Sequence, residues 1–171
     1  RYAVAVQDHG YSPDSSNRKF RFQHWKRFVE ENGNLKGLAY FRIPDYMTRM
    51  LAVERDLPGA MLMDTGSAAI WGAFCDAPVQ SRRDEGVLVV NVGNQHTVGV
   101  LAKGEEILGV FEHHTRILDP ADLSRYIETF RRGDLTDDEV YNNGGHGAYI
   151  TPHYRKLKPF EFTAVTGPQR S

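Results

Sequence analysis

The chain has a single cysteine, Cys75, among its 171 residues. That excludes a disulfide within the chain and any iron–sulfur cluster held by several of its own thiolates, and it suits the reducing cytoplasm. An excess of one charge is also missing, with 21 Lys plus Arg against 22 Asp plus Glu. No basic field therefore argues for nucleic acid or an anionic membrane, and a small-molecule substrate or a protein partner is the better expectation. Long hydrophobic runs are absent as well: the longest, near Val87–Val92, is far too short to span a bilayer, and no signal pattern opens the chain.

Forty per cent of the residues are hydrophobic, enough for a core in one domain or two compact lobes. The opening Arg1, which is no initiator, stands directly before an apolar strand pattern, so a piece of a longer protein is expected.

Tyr2–Gln7 reads as a buried strand ending in Asp8-His9-Gly10, followed by a Ser-, Pro- and Asn-rich loop. Phe20, Trp25, Phe28 and Val29 predict a helix over Arg18–Glu31, with Arg18, Arg21, Lys26 and Arg27 on its solvated side. A second helix is expected to start at Pro44 and run to about Leu57. "AMLMDTGSAAIWGAF" then gives a short strand, a turn at Asp64-Thr65-Gly66, and a small-residue helix in which Cys75 reads as a buried hydrophobe. The turn serves equally as a phosphate loop or a helix N-cap.

Charged Ser81–Gly86 marks a boundary between residues 1–80 and 81–171. Three strands follow, near Val87–Val92, Thr97–Ala102 and Glu106–Glu112, turning at Lys103-Gly104. "DPADLSRYIETFRRG" has Asp119 as N-cap, Pro120 in the first turn and Gly133 as stop; "YNNGGHGAY" reads as a loop, and Phe160–Val165 as a last strand. Three antiparallel strands, a helix and a returning strand open a ribonuclease-H-like unit. The strand-helix-strand-helix before residue 80 fits the tail of another, and two in tandem make the actin-like ATPase architecture, an α/β fold.

In that architecture the hairpin opening the second lobe reads D-x-G-x-x-x-T. Asn91-Val-Gly93-Asn94-Gln-His-Thr97 has the spacing, with an amide where the carboxylate stands. Asn91, Gly93, Asn94 and Thr97 are candidate phosphate contacts, Thr166 and Gly167 candidate nucleoside contacts, and Mg-ATP the expected cofactor. The same residues also suit a plain hairpin whose Asn and Gly take positive backbone angles.

Histidines gather at strand ends and glycine loops. Asp8, His9 and His96 are candidate catalytic residues; His113, His114, His146 and Glu112 are candidate ligands for a divalent metal, zinc or manganese. Strand alternation puts His113 and His114 on opposite faces, with Glu112 beside His114. No metal-binding spacing such as H-E-x-x-H occurs, so ligation requires convergence in space.

"AVQDHG", "MDTGSAAIWGA", "VVNVGNQHTVGVL", "GVFEHHT", "GGHGA" and "VTGPQR" together resemble a prokaryotic family described as pyruvate formate-lyase activating enzymes. The resemblance covers most of the chain. It implies the actin-like ATPase fold and members with a further glycine-bearing hairpin at the N-terminus. The activity in that description needs C-x-x-x-C-x-x-C, which Cys75 alone cannot supply. Three readings stay open: a nucleotide- or phosphate-binding protein, possible small-molecule phosphotransferase; a histidine-rich metal-dependent hydrolase or lyase; and a scaffold or regulator without turnover. A homodimer covering the first strand is a further expectation.

Overall fold

The computed structural model describes residues 2–13 and 16–170. Arg1 and part of the expected Ser/Pro loop, residues 14 and 15, lie outside the described residues. The chain is mixed α/β, with two sheets and helices against both faces of the larger one. None of the described helices is long and apolar enough to cross a membrane.

The smaller sheet joins β1 (Ala3–Val6), β3 (Met61–Asp64) and β2 (Ala39–Tyr40) in the order β1-β3-β2. β1 runs parallel to β3, and β2 antiparallel. β1 alternates exposed and half-buried residues, so the strand expected to be buried is covered on one face only.

Between them, α1 (Asn17–Glu30) starts where the Ser16 side chain accepts from Lys19 N, and ends before Asn32, at φ +60°. Its inward face is Arg21, Phe22, Trp25 and Val29, one stripe of a 3.6-residue repeat. α2 (Thr48–Asp56) starts four residues later than expected. Pro44 lies in the preceding turn, where its carbonyl accepts from Met47 N. Met47 offers no side-chain cap; instead the Asp8 carboxylate, from beyond β1, accepts from Arg49 N and Met50 N at 2.9 and 3.0 Å.

α3 (Thr65–Ala73) follows β3 directly, with Asp64 capping it through Gly66 N at 2.9 Å. Cys75 falls just past its end and is exposed, not buried as its apolar neighbours implied. α4 (Ala77–Arg82) occupies the start of the expected charged turn.

The larger sheet joins β4 (Val87–Val92), β5 (His96–Lys103), β6 (Glu106–His114), β7 (Gly147–Ile150) and β8 (Phe162–Thr166) in the order β7-β6-β5-β4-β8. β8 is parallel to β4, and every other pairing is antiparallel. Side chains alternate between two cores. Val87, Val89, Val98, Val100 and Val110 face α1 and α3, while Leu88, Val90, Leu101, Phe111 and Phe160 face α5 (Pro120–Arg132). Each such fully buried aliphatic contributes about 1.5–3 kcal/mol relative to exposure. Because the first core draws on α1 and α3 as well as the sheet, it crosses the boundary expected at residue 80.

α5 has the ends read from its sequence: Asp119 accepts from Asp122 N, and Gly133 closes the helix at φ +85°. The stretch read as a glycine loop holds more order than expected. It contains the end of α6 (Asp137–Asn142) and then β7, which pairs with β6.

Candidate functional site

Because β5 and β6 are antiparallel, the start of one lies beside the end of the other. His96 pairs with His114 and Thr97 with His113. His96, Glu112 and His114 therefore project from the α1/α3 face together with Asn91 of β4, and His113 projects from the other. His146, from the turn before β7, is fixed beside them by its amide, which donates to the Glu112 carbonyl at 2.9 Å.

Three imidazoles consequently meet. Ring centres lie 5.1 Å apart for His96–His114, 5.0 Å for His96–His146 and 4.5 Å for His114–His146. One ring nitrogen from each falls within 4.8 Å of the other two. His9, three residues past β1, has its ring centre 4.8 Å from that of His96 and 6.5 Å from that of His146, outside the trio but against it. His113 is not part of the group. It is fully buried, with its nitrogens 3.1 Å from the carbonyl oxygens of His114 and Asn143 and its ring near Tyr126.

Burial pushes all four clustered imidazoles below the ordinary histidine range, His96 to about 4 and His146 to about 2. For His146, the neighbouring His114 and His96 add to the effect. Burial thus favours the neutral form of these rings, in which a nitrogen lone pair can act as donor to a metal. His146 is only 4% exposed, yet neither ring nitrogen has a hydrogen-bond partner among the described residues. Glu112 Oε2 stands 3.4 Å from its Nδ1, outside hydrogen-bonding geometry.

Glu112 is itself held by Arg21, the residue expected on the solvated side of α1. Arg21 Nε lies 2.8 Å from each Glu112 oxygen, Nη2 lies 2.6 Å from Glu112 and 3.3 Å from Asp64, and Nη1 donates to the Asp8 carbonyl at 3.1 Å. Burial opposes the Arg21 charge, but Glu112 and Asp64 override it and raise its pKa. Arg18 is also engaged, donating to the carbonyls of Tyr141 and Gly145, so only Lys26 and Arg27 remain on the solvated side. Arg21 is the main residue the sequence reading missed. Its position beside Phe22 and four before Trp25 was the available signal.

The Asp8 carboxylate has its lone pairs spent on Gly10, Arg49 and Met50 amides, a structural cap rather than a free base. Thr97 is fully buried and turned from Asn91, its hydroxyl 3.0 Å from that of Thr115.

Two turns do meet beside the imidazoles. Gln169 donates from its backbone to the Val92 carbonyl and from its side chain to Asn94 Oδ1, each at 3.1 Å, so the turn after β8 closes on the β4–β5 hairpin tip. Gly167, at φ +103°, has no room for a side chain: the Val92 carbonyl and Asn91 Oδ1 occupy that place. Gly93 donates to the His96 carbonyl at 3.0 Å, and Thr166 pairs with Asn91 in the sheet. The cleft beside them, about 390 Å³, is lined by Gln7, Thr65, Gly66, Asn91, Asn94 and His96 among others.

No curated protein and no solved structure matches the chain. A family match covers residues 1–171 under the description "Putative pyruvate format-lyase activating enzyme (DUF1786)". The chain belongs to that family over its whole length.

Proposed function

We propose that the chain binds the phosphate group of a small molecule, with a nucleotide the first candidate, in the cleft between the β4–β5 hairpin tip and the turn after β8. The observation that carries this reading is the closure of those two turns on each other, through Asn94 and Gln169, 75 positions apart. The order β6-β5-β4-β8, three antiparallel strands and a fourth parallel to β4, supports a ribonuclease-H-like unit of the actin-like ATPase type. β7 is an addition at its edge.

Arg21 also lines this cleft but is paired with Glu112 and Asp64, and the remaining side-chain donors are neutral. Asn91, Asn94 and Gln7 offer amides, and the first turn of α3 adds the positive end of a helix dipole. Phosphate fits such a lining. Magnesium fits less well, because it favours carboxylate oxygens. Asn91 replaces one, Asp64 is tied to Arg21 and Gly66, and Asp8 caps α2. The role proposed is binding, with hydrolysis excluded from the proposal. An iron–sulfur cluster does not fit this chain, whose one thiol, Cys75, has no second cysteine to join it. A metal-dependent hydrolytic reading is favoured by a different observation, the meeting of three imidazoles.

Titration calorimetry with ATP, ADP and inorganic phosphate tests the proposal. Asn94→Asp keeps the oxygen that accepts from Gln169 and adds one negative charge at the tip. It is expected to weaken nucleotide binding about tenfold, roughly 1.4 kcal/mol. A parent that binds none of the three ligands at millimolar concentration, or a variant that binds as tightly as the parent, overturns it.

A further inference from the structure

We infer that His96, His114 and His146 form a binding site for one divalent transition metal of the zinc type. This goes beyond phosphate binding and stands on separate observations. The first is convergence. The ligand atoms come from the start of β5, the end of β6 and the turn before β7, and lie within 4.8 Å of one another. A tetrahedral zinc site, with Zn–N near 2.1 Å, sets its nitrogens about 3.4 Å apart, so each ring needs to move only about 0.8 Å toward the centre. Side-chain rotation supplies that.

The second observation is His146. An imidazole 4% exposed, with no hydrogen-bond partner for either nitrogen among the described residues, is a costly arrangement without a ligand. A metal ion on one nitrogen removes that cost. Glu112, 3.4 Å from Nδ1, then stands where a carboxylate orients a metal-bound imidazole and offsets the charge of the ion. Arg21, Glu112 and Asp64 together carry one net negative charge beside the trio, which favours a cation. Imidazole nitrogen is a zinc-type ligand, poorly suited to magnesium or calcium.

The ligand set differs from the one the sequence suggested. His96 takes the place of His113, and Glu112 stands behind His146, bound to Arg21, instead of beside the ion. Three protein ligands leave a fourth position open, the pattern of reactive rather than purely structural zinc sites. His96 also lines the cleft, so the ion would sit on its wall.

The test uses the full chain, free of affinity tag and stripped with EDTA. Cobalt(II) is the spectroscopic probe and zinc(II) the affinity probe, measured by competition with a chromophoric chelator. One cobalt per chain with visible bands of tetrahedral intensity is expected, together with zinc affinity of micromolar or tighter. His114→Gln and His96→Gln, at half-buried positions, should each weaken zinc at least 100-fold, and exposed His153→Gln should not. Zinc binding weaker than about 100 μM in the parent, or unchanged affinity in both trio variants, overturns the inference. Asn94→Asp should leave zinc affinity unaltered, so failure of the phosphate reading and failure of the metal site are distinguishable.

Discussion

Replacing Arg21 by Met separates a buried charge network from a solvated helix face. Three charged groups are closed in together: Glu112 is fully buried, Asp64 is 7% exposed and Arg21 is 6% exposed. The guanidinium reaches Glu112 at 2.6–2.8 Å and Asp64 at 3.3 Å. Methionine fills similar space but leaves both carboxylates without their cation. Removing one partner of a buried ion pair costs about 3–5 kcal/mol, and the upper half applies because two anions lose one cation. Against a total stability of about 5–15 kcal/mol this is a large share. With a urea dependence near 2 kcal/mol per molar, the unfolding midpoint should fall by about 2 M. Arg27→Met, on the exposed side of the same helix and paired with Glu31 among the described residues, should leave the midpoint nearly unchanged. Adding Glu112→Gln to Arg21→Met removes one stranded charge and should recover part of the loss. Equal midpoints for the Arg21 and Arg27 variants, or no recovery in the double variant, would refute the reasoning.

The imidazoles predict acid sensitivity. Burial lowers His146 to about 2 and His96 to about 4, below the 6.5 of an open chain, so between those values the unfolded chain takes up protons that the folded one refuses. Their contribution is complete above about pH 6.5 and is lost as pH falls from there, toward 4 for His96 and toward 2 for His146. His146 should cost about 1 kcal/mol over the first unit below 6.5, and His96 less because its exposed part is screened. Urea midpoints at pH 7 and 5 check this, and a slope identical in parent and His146→Asn would discount it. Asp8→Ala should destabilise the fold by about 1–2 kcal/mol and speed hydrogen exchange at Arg49 and Met50, whose amides it caps. Unchanged protection there would show that α2 does not depend on the cap.

The elements legible in the sequence are those whose causes are local. α5 has its N-cap, its first-turn proline, its inward Tyr126 and Phe130 and its stopping glycine within fifteen residues. β4, β5 and β6 follow from apolar runs broken by turn residues. α2 was misplaced because its cap comes from Asp8, about forty residues earlier. β7 was read as a loop because a four-residue strand between glycines owes its order to pairing with β6. Arg21 was placed in solvent because the carboxylate that draws it inward, Glu112, is 91 positions away.

The histidine trio shows where legibility stops. Alternation along β6 fixes that His113 and His114 face opposite ways, but it does not say which of them faces His96. That depends on the register of the β5–β6 hairpin, and the register changes partway. Near the turn, Lys103 faces Glu106 and Ala102 faces Ile107; beyond an irregularity at Leu101/Ala102, Leu101 faces Gly109 and His96 faces His114. Leu108 is the extra residue. Continued without it, the register at the turn would set His96 opposite His113 and Gln95, not His96, opposite His114. A single bulge, which shifts one strand by one residue against its partner, therefore decides the membership of the cluster. Leu108 packs into the core on the α5 side, among Leu88, Leu101 and Phe130. The ligand set is in this sense specified by the packing of an aliphatic residue at the far end of the strand, which no spacing of histidines in the sequence records.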